Sequence, residues 1–137
     1  MTIENIINIK NESIEDRIEK AIKDTKDELD GLTVDTTCMI YSSYITRNLY
    51  KEHLINKLVS TTELNYSYNH QFNIVPKNKN ELYLIDLTFK QFQSDKFKEL
   101  LQKGYILIDI DMYMEYLDVV GNVKEDNIIL SFSKKIV

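Results

Sequence analysis

Two periodicities divide the chain. From Asn11, which can cap a helix, to about Asp30, the residues Ile14, Ile18, Ile22 and Leu29 recur at helical spacing. Ala21 and Thr25 fill the same stripe, and the opposite face is Glu, Asp, Lys and Arg. Residues 3–10 ahead of it read as an extended arm, and Gly31 stands where a helix C-cap belongs. A connection follows in which Asp35, Thr36 and Thr37 are all capable N-caps. A second helical pattern runs from Cys38 to about His53, with Cys38, Tyr41, Ile45 and Leu49 in one stripe and Tyr44 close to it.

Beyond His53 the pattern becomes extended. Leu54 to Leu64 reads as a strand, 65–69 as a polar and aromatic loop, and His70 to Val75 as a strand. Pro76-Lys77-Asn78-Lys79-Asn80 is a turn, and Glu81 to Phe89 is a second, more apolar strand that forms a hairpin with the first. Ser94 caps a helix from Asp95 to about Lys103, ended by Gly104. Tyr105 to Ile110 reads as a strand, Asp111 to Leu117 as a short helix and 127–136 as a final strand. Helices first and strands later define an α+β class, with N-terminal helices packed on a mainly antiparallel sheet. A chain of 137 residues is read as a single domain over 1–137, with 1–31 as arm and helix and 32–137 as the core.

Composition narrows the function. The net charge of −5 and the lack of a basic run argue against nucleic-acid binding, which needs cations to neutralise phosphates. A single cysteine forms no internal disulfide, and with no Cys or His cluster no metal site is expected. No stretch is apolar enough for a membrane span, and the first residues do not resemble a signal peptide. The expectation is a cytoplasmic protein, or one exported by a signal-independent route.

That one cysteine opens a helix. A helix N-terminus presents unpaired N–H groups and the positive end of the dipole, which favour a thiolate. Such a thiol is a candidate nucleophile, although an unpaired cysteine is more often a small buried apolar residue. His53 lies about four turns away on the same helix and cannot serve it. His70 can. If Val75 pairs with Glu81 across the turn, His70 falls opposite Asp86, within reach of a carboxylate-to-imidazole hydrogen bond. Asp86 also interrupts the apolar run Leu82-Tyr83-Leu84-Ile85, so burial demands a partner for it. Cys38 as nucleophile, His70 as base and Asp86 as orienter make a catalytic constellation. The backbone N–H of Cys38 is one donor for the oxyanion, and a side chain from 35–37 or 65–69 is a second.

Cys, His and Asp occur in this order, 32 and then 16 residues apart. The phrase Tyr83-Leu84-Ile85-Asp86-Leu87-Thr88-Phe89-Lys90-Gln91-Phe92 is similar to the segment after the catalytic strand of bacterial papain-fold toxins and protein-glutamine deamidases. Asn69-His70-Gln71-Phe72-Asn73-Ile74-Val75 resembles the histidine strand of that group, and Gly104-Tyr105 the end of its following helix. The resemblance covers roughly 36–121. It implies a papain-like or transglutaminase-like core, with Cys38, His70 and Asp86 as its triad and no cofactor. The implied activity is amide chemistry on a protein or peptide substrate: glutamine deamidation, peptide hydrolysis or acyl transfer. The glutamine that papain-type proteases carry before the cysteine is missing, as is the tryptophan common near the cysteine of transglutaminases. The competing expectation is a non-catalytic protein-binding module of the same fold, using Tyr66, Tyr68, Tyr113 and Tyr116 for contact.

Overall fold

A computed structural model describes residues 12–32 and 38–122. The expected arm at 3–10, the cap at Asn11, the residues 33–37 and the strand at 127–136 lie outside the described residues.

Among the described residues the fold is α+β, with four α-helices and one four-stranded antiparallel sheet. Helix α1 (Ile14–Glu28) is capped by Ser13, whose Oγ accepts from Asp16 N at 3.0 Å. Its predicted stripe is buried from Ile18 on, with Ile18 and Ala21 at no exposure, and Ile14 is half-buried. The helix ends two residues earlier than expected, with Leu29 and not Gly31 as its C-cap, and Gly31 follows in the left-handed conformation at a φ of 85°. Helix α2 (Cys38–Lys51) buries Tyr41, Ile45 and Leu49 of its predicted stripe. Arg17 of α1 caps its C-terminal end by donating to the carbonyls of Glu52, at 2.9 and 2.6 Å, and of His53, at 2.9 Å. His53 itself is exposed, in a left-handed turn that stops the helix.

The sheet order is β1-β2-β3-β4, in chain sequence. Strand β1 (Lys57–Ser60) is shorter than its pattern suggested, because Thr61–Leu64 turns into a 3₁₀ helix that Asn65 ends in the left-handed conformation. Strand β2 (Gln71–Pro76) starts one residue after His70, and β3 (Glu81–Ile85) ends one residue before Asp86. The chain then turns through a 3₁₀ segment, Phe89–Gln91, instead of continuing as strand to Phe89. Helix α3 (Asp95–Leu100) is capped by Ser94 as expected but is shorter, with the chain reversing at Gly104. Strand β4 is Tyr105–Asp109, and α4 (Ile110–Gly121) is longer than the predicted short helix and capped by Asp109.

Alternation along the strands sends side chains to two cores. Val75, Tyr83 and Ile85 pack with Ile18, Ala21 and Ile22 of α1 and Ile45 and Leu49 of α2. Phe72, Leu82, Leu84 and Ile108 pack on the other face with Phe97 of α3 and Tyr116, Leu117 and Val120 of α4. The sheet is thus covered on both faces, and α1 belongs to the first core. Each fully buried aliphatic side chain here contributes roughly 1.5–3 kcal/mol.

The hairpin register differs from the expected one. Val75 pairs with Tyr83, not Glu81, and Pro76 is inside the ladder opposite Leu82. Pro76 lies beyond the end of β1's pairing at Ile74, so its missing N–H is not needed there. The turn is closed instead by Asn78, whose Oδ1 accepts from the N–H of Asn80 and of Glu81 at 2.9 and 3.0 Å.

Candidate active site

A two-residue shift preserves side-chain parity, so His70 and Asp86 remain on one face and meet diagonally. His70 Nε2 lies 2.7 Å from Asp86 Oδ2. Both residues are buried, at 0% and 4% exposure.

Local structure fixes each partner. The His70 backbone N–H donates to Thr61 Oγ1 at 2.8 Å, and its carbonyl accepts from Thr61 N at 3.0 Å. Its ring lies edge-on to Phe92, with centroids 4.6 Å apart. Asp86 N donates to the carbonyl of Gly104 at 2.9 Å. The Asp86 carboxylate accepts four hydrogen bonds: from His70, from the Tyr116 hydroxyl, and from Thr88 N and Oγ1 at 3.0 and 3.1 Å. The Asp-x-Thr spacing makes the last two an Asx-type turn. Such a carboxylate is fully satisfied, as a buried charge must be.

Cys38 reaches the pair from the other face of the sheet. Ser42 Oγ lies 3.5 Å from Gln71 Oε1, and Asn73 Nδ2 donates to Thr46 Oγ1 at 2.7 Å. Four residues of helix and two of strand advance by nearly the same ~6–7 Å, so α2 and β2 run side by side in one direction. One turn before Ser42, Cys38 therefore overhangs the start of β2, level with His70. The thiol is half-buried.

The charges favour a thiolate–imidazolium pair. Burial pushes the Cys38 thiol up, but the adjacent His70 and the backbone N–H of Gln71 outweigh it, and the thiol pKa falls below its ordinary value. Burial pushes His70 down, but the Asp86 carboxylate, with a smaller part from Cys38, raises it to about 9. Asp86 is likewise pushed up by burial yet held below the usual carboxylate range by His70, Tyr116 and Thr88. Nδ1 of His70 is buried, has no partner at full hydrogen-bond geometry, and interacts with the neighbouring Cys38 thiol. Catalytic contacts are commonly loose before substrate binds.

All three predicted residues therefore converge. Three contributors, Tyr116, Thr88 and Gln71, were not foreseen in their roles, and a fourth, Tyr68, comes from the loop expected to offer an oxyanion donor. Tyr116, a contact residue only in the competing binding-module reading, has no exposure and donates to Asp86. Its spacing from Met112 and Val120 marks it as a helix-stripe residue. Thr88 was signalled by the Asp-x-Thr turn. Gln71 flanks Cys38, and Tyr68, in the 65–69 loop, is near enough that burial and the Cys38 charge both raise its phenol pKa. Asn69 of that loop is already occupied, accepting from Ser60 and Thr62 at 2.5 and 2.9 Å. Asp35, Thr36 and Thr37 lie outside the described residues.

No group of three or more His, Cys, Asp or Glu side chains placed to hold a metal occurs among the described residues. No described helix is long and apolar enough to cross a membrane. Compared with protein-family models, curated proteins and solved structures, the chain matches none.

Proposed function

We propose that the chain is a cysteine-dependent enzyme that acts on amide bonds of a protein or peptide, with a papain-like or transglutaminase-like arrangement of Cys38, His70 and Asp86. The observation that carries this reading is the buried His70–Asp86 pair whose free Nδ1 stands beside a helix-opening thiol with a lowered pKa.

The Cys38 thiolate attacks the amide carbonyl carbon, forming a C–S bond and a tetrahedral oxyanion. The His70 imidazolium gives its Nδ1 proton to the nitrogen as the C–N bond breaks. Ammonia leaves if the substrate is a glutamine side chain, and an amine leaves if it is a peptide bond. Water then attacks the thioester carbon, with His70 taking its proton, and the C–S bond breaks to release the acid and restore the Cys38 thiolate; an amine in place of water gives acyl transfer. Asp86 holds Nε2–H throughout, fixing the tautomer and the imidazolium. The N–H of Cys38 is one oxyanion donor, and Gln71 or Tyr68 supplies the second; Gln71→Ala and Tyr68→Phe separate the two. Glutamine deamidation is the favoured reaction, on the likeness of the Asp86–Phe92 segment.

The test is Cys38 alkylation by iodoacetamide against pH, in native protein, His70→Ala and unfolded chain. Rapid alkylation below pH 7 that vanishes in His70→Ala is expected, followed by ammonia release from glutamine peptides. A native thiol no faster than the unfolded one at every pH would sink the proposal. It would favour the second reading, a binding module, which the very small cavity at the thiol, ≈ 10 Å³, supports.

A further inference from the structure

The candidate site adjoins a larger groove of ≈ 400 Å³. It shares Tyr41, Asp86 and Leu87 with the narrow cleft at Cys38. Its floor includes Phe89 and Leu101, both buried core residues. Lys26 of α1, Lys90 of the turn after β3 and Lys98 of α3 converge on it from three separate elements.

What distinguishes this groove is that its three lysines meet no free carboxylate in its lining, whereas the cavity on the outer side of Lys26, with Lys23 and Lys103, also holds Glu19 and Asp27. Asp86 is the only carboxylate residue lining the groove among the described residues, and its oxygens are all turned to His70, Tyr116 and Thr88. None of the three lysines has an ion-pair partner among the described residues. On the outer side of Lys26, Asp27 is already bound by Lys23 at 2.7 Å. Lys20, Lys23, Lys96 and Arg47 pair with carboxylates elsewhere, while Lys51, Lys57, Lys77, Lys79 and Lys103, like the groove lysines, have no ion-pair partner among the described residues. Three ammonium groups with no ion-pair partner among the described residues, over an apolar floor, complement an anionic segment with an apolar anchor.

We infer that this groove seats an acidic peptide segment of the substrate, an apolar side chain on the floor and carboxylates at Lys26, Lys90 and Lys98, while the neighbouring amide reaches Cys38. The inference rests on the function proposed above and adds its substrate class. Because the whole chain is acidic, attraction is confined to the groove and is screened beyond about 8 Å at physiological salt.

The experiment uses a fluorescein-labelled peptide with glutamates on both sides of a phenylalanine-glutamine pair, and a control with every glutamate replaced by glutamine. Anisotropy in about 50 mM salt should show the acidic peptide binding at least about tenfold tighter than the control, and the preference should vanish in about 500 mM salt. Lys26→Gln/Lys90→Gln/Lys98→Gln should lose that preference while keeping the native pH profile of Cys38 alkylation, which shows that its fold is intact. Saturating acidic peptide should slow Cys38 alkylation in the native protein. Equal binding of the control, unchanged binding by the triple variant, or binding that leaves alkylation untouched would each overturn the inference. So would a single-stranded RNA oligomer that binds the groove more tightly than the peptide. A thiol no faster than in unfolded chain defeats the catalytic reading instead, and the peptide arm still decides whether the groove selects acidic segments.

Discussion

Asp86→Asn is nearly isosteric and removes one charge from the centre of the site. In the native protein Oδ2 accepts from both His70 and Tyr116, and Oδ1 from two Thr88 donors. Asparagine offers one acceptor oxygen and one NH₂. If its oxygen keeps the Thr88 bonds, the NH₂ faces His70 Nε2, which must lose its proton. The neutral ring then carries hydrogen on Nδ1, toward the thiol, and can no longer act as base. Burial, now unopposed by a carboxylate, pushes His70 below its ordinary value instead of up to about 9.

The stability consequence has a definite sign. A histidine raised from 6.5 to about 9 stabilises the fold fully below the unfolded value and loses that stability as pH rises through 9. At 1.36 kcal/mol per unit this amounts to about 3 kcal/mol. In a Cys38→Ser background, where the thiol does not titrate and its share of the His70 shift is absent, urea unfolding should show the penalty of Asp86→Asn shrinking by up to about 3 kcal/mol between pH 6 and pH 9.5. What remains at pH 9.5 is the lost hydrogen bonding, about 1–3 kcal/mol. In the Cys38 protein the same substitution should abolish alkylation below pH 7. A penalty that stays constant over this range would refute the ionised His70–Asp86 pair, and with it the thiolate argument.

Two further substitutions probe the supports of Asp86. Tyr116→Phe removes one buried donor without leaving a cavity and should cost about 1–3 kcal/mol. Since the hydroxyl helps hold Asp86 below the usual carboxylate range, stability present above pH ~4 should be lost at a higher pH on acidification, read as an upward shift of the acid-unfolding midpoint. Gly104→Ala places a Cβ 2.5 Å from Leu87 Cδ2 at a φ of +90° and disturbs the carbonyl that anchors Asp86 N. A loss of about 1–3 kcal/mol and slower Cys38 alkylation at neutral pH should follow, whereas Gly31→Ala, with open space around its Cβ, should affect stability alone.

Much of this arrangement was legible in the sequence, and the reasons differ by residue. The stripes of α1 and α2 were read correctly because period-3.6 burial is a local property. The His70–Asp86 contact was anticipated from a register that proved two residues out, and it survived because only an odd slip changes the face. The error came from placing Pro76 in the turn, when it occupies a ladder position beyond the reach of β1. The long strands expected at 54–64 and 81–89 broke into 3₁₀ turns because Thr61 bonds to both sides of His70 and Thr88 folds back on Asp86. Two of them, His70 N–H to Thr61 Oγ1 and Thr88 N–H to Asp86 Oδ1, are side-chain-to-backbone bonds that β-propensity does not express.

The position of Cys38 could not have been read in the same way. A stripe says which face of α2 is buried, not how far the helix slides along β2. That sliding is set by two polar contacts, Ser42 near Gln71 and Thr46 with Asn73, spaced so that helix and strand advance together. A slide of one helical turn would keep every apolar contact class and carry the thiol about 6 Å from His70. The buried Asn73 makes such a slide costly, because its amide would lose the 2.7 Å bond to Thr46 and keep only a long one, 3.4 Å, to Asn56 Oδ1. His70 and Asp86 sit one residue outside their strands, where the ladder between β2 and β3 has ended. The first turn of α2 can reach the imidazole there, although Phe72 and Leu84, next inward on the same face as the pair, lie on the far side of the sheet from that helix. The site is therefore a property of where three elements stop, and the polar residues Thr46 and Asn73 hold those ends in line.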